Sequence, residues 1–415
     1  MRDDGKIGVV VATAMSITIV VGAGLLALPG LSYGLAGRLG YVPWVLVAVL
    51  MLPLLAIFAF FASAYPSAGG VVGYIRAALG YRVAAMAEAI VLGTFSLGIP
   101  AIALIGSGYL TQVVPGPTPT ESALGVVAIA YLAGVVGLKI SGAIQTGIAA
   151  LIVLGLTTIG VGFLLTSAHA PVALAPMPVD PAGWRGVLAA LPVILFAYTG
   201  WEMTAFLAED MRDPRRDMPV SIWTSFGVVA IMYVFIAWIV ASFAGDDAGW
   251  RSAPFVQLAR PWLGELGAQA VGVIAALLVL ANVIGAFFSA SRAVYAAGRD
   301  GLLPDVAGAV DRRGQPLFAM TACWAIFSGV IVATRLGGLG VEGLLQLAGQ
   351  NFFVLYFLCA IGYLGLRRRA PFGLVLGLLA VAVVGAMLCL FSVPGLVYCA
   401  SLAGMGLLLS LRRRA

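Results

Sequence analysis

The chain of 415 residues is 62% hydrophobic and only 10% charged, with a formal net charge of +6. Its mean hydropathy is +1.08, and no soluble fold of this length needs so much apolar surface, so an all-α integral membrane protein is expected. The excess of positive charge then reflects topology and anionic headgroups, not nucleic-acid binding.

Apolar runs long enough to cross about 30 Å of hydrocarbon number about twelve. In chain order they cover residues 7–34, 41–63, 83–113, 123–138, 142–168, 185–209, 218–244, 266–297, 318–334, 341–366, 370–390 and 392–411. The fourth and ninth are short and the first, third and eighth long, which predicts tilted or kinked helices. With the N-terminus inside, 18 of the 23 Lys and Arg residues fall in cytoplasmic segments, among them Arg76, Arg82, Lys139, Arg215, Arg292, Arg299 and Arg312. Only Arg38, Arg185, Arg251, Arg260 and Arg335 fall outside. Translocation disfavours basic residues, so twelve spans with both termini cytoplasmic, in a cytoplasmic membrane, satisfy the charge rule.

The first span is too long for a cleavable signal and lacks a small-residue cleavage site before its glycines, so it is expected to act as its own insertion signal. Cys323, Cys359, Cys389 and Cys399 lie in apolar spans at neither metal-ligand nor disulfide spacing and read as small apolar residues. His169, in an external loop, has no second ligand near it in sequence. The longest hydrophilic connections are roughly 114–122, 168–184, 245–265 and 298–317, which leaves no room for a separate soluble domain, so residues 1–415 form one transmembrane domain.

Two spans are interrupted at mid-depth. Gly22-Ala23-Gly24 breaks the first, and Tyr198-Thr199-Gly200-Trp201-Glu202 breaks the sixth. An unpaired backbone N–H or C=O in lipid costs several kcal/mol, so such breaks persist only where protein or a water-lined cavity satisfies them. Their corresponding positions suggest inverted repeats of spans 1–5 (about 7–168) and 6–10 (about 185–366), with two helices appended (about 370–411). At the first break a carboxylate can accept bonds from the N–H groups around Gly22, Ala23 and Gly24, where the outer half-helix presents its positive end. Close helix packing is the alternative role for such small residues.

Ionisable groups deep in an apolar span are costly enough to be functional candidates. Glu202 is the clearest one, either titrating as a cavity opens and closes or bridging helices as a neutral hydrogen-bonding group. Glu88, nearer the cytoplasmic end of the third span, reads as an interfacial residue close to Arg82. Ala281, Gly285 and Ser289 make a small-residue ridge on the eighth span, suited to close packing on the first. A membrane-embedded hydrolase would need a nucleophile–base pair or a metal cluster. One histidine and four scattered cysteines supply neither, so the chain is not read as an enzyme, and no cofactor or metal is implied.

Several motifs in order carry a family resemblance. They are Gly22-Ala23-Gly24, then Tyr65-Pro66-Ser67-Ala68-Gly69-Gly70 with Tyr74, then Phe196 through Glu202. Glu209-Asp210-Met211-Arg212-Asp213-Pro214-Arg215-Arg216-Asp217-Met218-Pro219 follows, and after the eighth span come Ser291-Arg292, Tyr295 and Arg299-Asp300-Gly301-Leu302-Leu303-Pro304. Over residues 1–310 this arrangement resembles the amino acid–polyamine–organocation permeases, and within them the bacterial methionine and branched-chain amino acid exporters.

The resemblance implies a leucine-transporter-like 5+5 fold and a mid-membrane substrate site. It implies that Phe196 is an aromatic gate over the ligand's apolar side chain, and that Ala197, Tyr198, Thr199 and Gly200 offer unwound backbone to the substrate ammonium. Some proton-coupled relatives place a lysine in the fifth span, but residues 142–168 contain no Lys or Arg. Related folds hold a cation between the first and eighth spans, where Ser289 alone is poor evidence for sodium. The expected activity is secondary transport of neutral L-amino acids such as methionine, leucine, isoleucine and valine, in the export direction and with protons as the candidate coupling ion. A broad amino acid or amine importer and a non-transporting amino acid sensor are the alternatives.

Overall fold

The first span is in two pieces, α1 (Val9–Val20) and α2 (Ala23–Ala36). They part at Val21, whose ψ of 34° leaves the helical region. The computed structural model describes residues 8–21, 23–65, 70–113, 116–137, 142–166, 181–201, 211, 213–245, 247, 249–337 and 339–412. Next along the chain come α3 (Val42–Ala64), α4 (Gly70–Leu79), α5 (Tyr81–Val113), α6 (Pro119–Val136), α7 (Gly142–Thr166) and α8 (Pro181–Ala197). The second half holds α9 (Pro214–Phe243), the short α10 (Gly249–Ser252), α11 (Pro254–Arg299), α12 (Leu317–Arg335), α13 (Val341–Arg367), α14 (Pro371–Leu388) and α15 (Val393–Arg412).

Among the described residues nine helices are long and apolar enough to cross a membrane. The other three predicted spans fall on the α1–α2 pair, on α7 and on α8. Apolar side chains such as Val49, Leu132, Leu154, Ile231 and Leu277 are exposed, as a surface in contact with lipid tails requires.

Local chemistry sets several boundaries. At the start of α6 the Thr118 hydroxyl accepts from the Glu121 N–H while the Glu121 carboxylate accepts from the Thr118 N–H, a reciprocal cap for two otherwise orphaned donors. Gly264 interrupts α11 with φ 69°, a value that side chains rarely tolerate, and so divides a short leading helix from the long span behind it. α4 buries Gly70, Val71, Tyr74 and Ile75 along one stripe and leaves Arg76 exposed, the pattern of a helix lying on the bundle.

α5 is the central post, packed by α4, α6, α11, α12, α13 and α15, while α9 packs against α1, α2, α3 and α7. Close approach of α5 to α11 occurs where Gly106 faces Val279, since a Cβ on Gly106 would lie 2.6 Å from Val279 Cγ1. Among the described residues, a Cβ on Gly285 would meet nothing within 4 Å, so no close crossing is seen at that glycine. Ser289 turns its hydroxyl back onto the Gly285 carbonyl at 3.1 Å.

Candidate functional site

The break in the first span lies against the end of α8. Gly24, in the first turn of α2, faces Ala197, the last residue of α8, so closely that a Cβ on Gly24 would stand 3.5 Å from both Cα and Cβ of Ala197. Two segments far apart in sequence, each predicted to hold one end of a zwitterion, are thus in contact. Gly22 and Glu202 lie outside the described residues, and Ala23 opens α2. α1 ends at Val20 and α2 starts at Ala23, so the interruption lies between them.

α8 closes by tight turns. The Tyr198 N–H donates to the Leu195 carbonyl at 3.1 Å, and the Thr199 N–H to the Phe196 carbonyl at 3.1 Å. The Thr199 hydroxyl donates to the same Phe196 oxygen at 2.7 Å. Gly200 then takes φ 111°, open only to glycine, and redirects the chain out of the helix.

A residue that the sequence reading did not single out joins the two breaks. Tyr233, fully buried in the middle of α9, places its hydroxyl 3.0 Å from the Val20 carbonyl and 3.2 Å from the Ala197 carbonyl. A phenol has one proton, so it donates to one of these oxygens at a time and lies within reach of both. Trp44 and Tyr198 complete the cluster, with the Tyr233 ring edge-on to Trp44 at 5.0 Å and to Tyr198 at 5.2 Å. The Tyr198 hydroxyl donates to the Trp44 carbonyl at 3.1 Å, so this tyrosine faces protein.

The polarity of the junction follows from helix direction. α1 and α8 both end there and present carbonyls, whereas α2 starts there and presents N–H groups. A carboxylate suits the second kind of end and an ammonium the first. Tyr109 of α5 donates to the Leu26 carbonyl and pins α2 in place.

Phe196 is half-buried and directed to a seam lined by glycine. A Cβ on Gly98 of α5 would lie 3.5 Å from Phe196 Cε2, and one on Gly349 of α13 would lie 3.6 Å from Phe196 Cβ. The Phe352 ring is 6.5 Å away, centroid to centroid. The absence of side chains at positions 98 and 349 makes room for the ring beside the junction.

An amino acid permease family model matches residues 7–403. The chain is 28% identical over 397 residues to an uncharacterized amino acid permease, YecA, of Bacillus subtilis, covering 95% of this chain and 92% of that protein. It is 27% identical over 393 residues to YjeH of Escherichia coli, an L-methionine/branched-chain amino acid exporter, covering 92% of each. A third relative is BcaP of Bacillus subtilis, a branched-chain amino acid permease, with 25% identity over 399 residues that cover 88% of this chain and 82% of that one.

Proposed function

Because the chain belongs to the amino acid permease family, within the amino acid–polyamine–organocation superfamily, we propose that it carries neutral apolar L-amino acids by alternating access around the junction of α1, α2 and α8. One observation carries this reading: the start of α2 at Gly24 lies against the end of α8 at Ala197, with the Tyr233 hydroxyl between the Val20 and Ala197 carbonyls. N–H and carbonyl helix ends side by side offer complementary partners to the two ends of a zwitterion. Gly24, Phe196, Ala197, Tyr198, Thr199, Gly200 and Tyr233 carry no charge, so the site suits methionine, leucine, isoleucine and valine. Two relatives act on branched-chain amino acids, which supports the same choice. Export is the direction proposed, from the likeness to the methionine and branched-chain exporter.

Counterflow in proteoliposomes, with a panel of labelled amino acids, tests the reading. Methionine, leucine, isoleucine and valine are expected to exchange and to compete better than lysine, arginine or glutamate. Preferred exchange of arginine over leucine would overturn it. Glu202 is proposed to couple protons to the cycle, since a carboxyl protonated in one access state and ionised in the other links proton movement to turnover. Glu202→Gln keeps the shape but cannot titrate, and is expected to permit exchange while flattening the pH dependence of net flux. Undiminished accumulation driven by a pH gradient in this variant would reassign Glu202 to packing.

A further inference from the structure

A cleft of about 270 Å³ lies between α5, α11 and α12 and shares no residue with the junction. Its walls include Phe95 of α5, Val294 of α11, and Phe318, Cys323 and Ile326 of α12. Phe318 and Ile326 are exposed whereas Cys323 is buried, so the cleft is open along one side of α12. Eight residues separate the two exposed side chains, which puts them on one face and about 12 Å apart along the helix axis. α12 is long and apolar enough to cross a membrane, so its exposed apolar face meets lipid tails.

Pro304 and Ala307 line the cleft at the end where α11 runs out and α12 begins. Their segment is seated on α11 backbone to backbone: a Cβ on Gly298 would stand 2.3 Å from the Gly308 nitrogen, and one on Gly308 2.7 Å from the Arg299 nitrogen. Arg299 is thereby held beside the turn that lines the cleft, its guanidinium 6.0 Å from the ring of Tyr295, the neighbour of Val294. Arg312 and Arg313 stand in a turn closed by the Asp311 N–H on the Gln315 carbonyl at 2.8 Å, and Phe318 follows five residues after Arg313. All three guanidinium-bearing residues are exposed, and among the described residues none of them forms an ion pair. The nearby acids compete little. Asp311 accepts from the Arg313 and Gln315 N–H groups at 2.8 Å each, and Asp300 lies 3.7 Å from Arg76. Asp305 is exposed on the same segment and offsets one positive charge of the three.

We propose that this cleft binds an anionic phospholipid, with one acyl chain lying along α12 between Phe318 and Ile326 and the phosphate on the guanidiniums of Arg299, Arg312 and Arg313. The lining offers little to water, because the Ser96 hydroxyl already donates to the Leu92 carbonyl at 2.9 Å and the Cys323 thiol is a weak donor. An apolar cavity of about 150 Å³ stays dry and takes benzene, so this larger one accommodates several methylenes. A chain in it supplies the dispersion contacts that the walls otherwise lack. Guanidiniums make charge-assisted bonds to phosphate oxygens, and basic clusters beside membrane helices collect anionic headgroups. A zwitterionic headgroup would bring its own ammonium to the same cluster, which disfavours it. The site is independent of the carried amino acid, since no residue of the junction takes part.

Native mass spectrometry of the delipidated full-length protein tests this, by titration with phosphatidylglycerol or phosphatidylcholine carrying the same oleoyl chains. One phosphatidylglycerol is expected to bind about tenfold more tightly than phosphatidylcholine. Ala322→Trp fills the cleft and is expected to weaken that binding about tenfold. Ala322 is half-buried, so Ile326→Trp, at the exposed mouth, gives a second reading that does not disturb the core, and a melting curve accompanies each variant. The pair Arg312→Gln and Arg313→Gln is expected to bring phosphatidylglycerol towards the affinity of phosphatidylcholine and to leave phosphatidylcholine unchanged. Undiminished phosphatidylglycerol binding in a folded tryptophan variant, or equal affinity of the parent for the two lipids, would overturn the site. A protein dimer that Ile326→Trp abolishes would place a second copy on the cleft and overturn it as well.

Discussion

Gly30 of α2 lies so close to α10 that a Cβ there would stand 2.3 Å from the Trp250 carbonyl oxygen and 2.8 Å from that of Arg251. On the other side, a Cβ on Gly186 of α8 would stand 2.3 Å from the Leu35 oxygen. The Tyr33 hydroxyl adds a bond to the Ala244 carbonyl at 3.0 Å, and residues 24–30 are buried without a gap. α1, the other half of the same apolar run, is buried along Ala12, Ser16, Ile17 and Val20, with half-buried or exposed residues between. Thr13 and Ser16 donate to their own helix, to the Val9 and Ala12 carbonyls. Backbone contact therefore clamps α2, while side-chain packing on α9 and α7 and the Tyr233 hydroxyl hold α1. In a bilayer, where lipid tails are as apolar as leucine, close backbone approach and hydrogen bonds are what distinguish a fixed helix from a loosely held one.

The largest effect is expected at the clamp. Gly30→Ala inserts a methyl where a carbonyl oxygen already stands, so α10 or α2 must shift, at a cost of about 1–3 kcal/mol or more. Thermal unfolding in detergent should show a clear loss of folded protein. Unchanged stability would mean that α2 is no better fixed than α1. Gly24 sharpens the contrast, because its approach to Ala197 at 3.5 Å is an ordinary van der Waals distance. Gly24→Ala is expected to fold and bind, whereas Gly24→Leu drives Ala197 away from α2 and should abolish amino acid binding before it abolishes folding. Normal stability together with undiminished binding in the leucine variant would remove the junction from the substrate site.

A smaller effect is expected where the two halves meet. Tyr233→Phe keeps the ring and its edge-on packing against Trp44 and Tyr198 and removes only the hydroxyl. The Val20 and Ala197 carbonyls are then without that donor, which costs about 1–3 kcal/mol when nothing replaces it. Exchange should fall more than thermal stability does, because the hydroxyl ties the two breaks to each other. Equal falls in both would assign Tyr233 to packing alone.

Much of this arrangement could be read from the chain, for a physical reason. Bilayer thickness dictates the length of an apolar run, so the eighth span, predicted at 266–297, falls on the part of α11 between Gly264 and Arg299. The interruption of the first span and the end of α8 were legible too, because glycine in an apolar run marks a place where the backbone can turn. α4 was missed, since ten residues that lie on the bundle lack the length signal of a span. Tyr233 was missed because its partner at Val20 is 213 positions away, and a phenol in an apolar run announces a hydrogen bond without saying to what. At Gly285 no close crossing is seen among the described residues, since small residues permit one but do not require it.

The smallest effect is expected within α1 itself. Ser16 stands 3.4 Å, oxygen to oxygen, from Ser221 of α9, at the outer limit of a hydrogen bond, and already donates to the Ala12 carbonyl at 2.8 Å. A serine turned onto its own helix four residues back slightly weakens that helix, and alanine is the better helix former. Ser16→Ala should therefore change stability by no more than about 0.5 kcal/mol, because the higher helix propensity of alanine offsets removal of so long a hydrogen bond to Ser221. Melting curves for this variant and Gly30→Ala, recorded side by side, bear directly on how the two half-helices are held. If removing the Ser16 hydroxyl lowered the melting temperature as far as the methyl at Gly30 does, α1 would be fixed to α9 by a polar clamp of its own. The difference between α1 and α2 would then have to be sought elsewhere than in the packing around them.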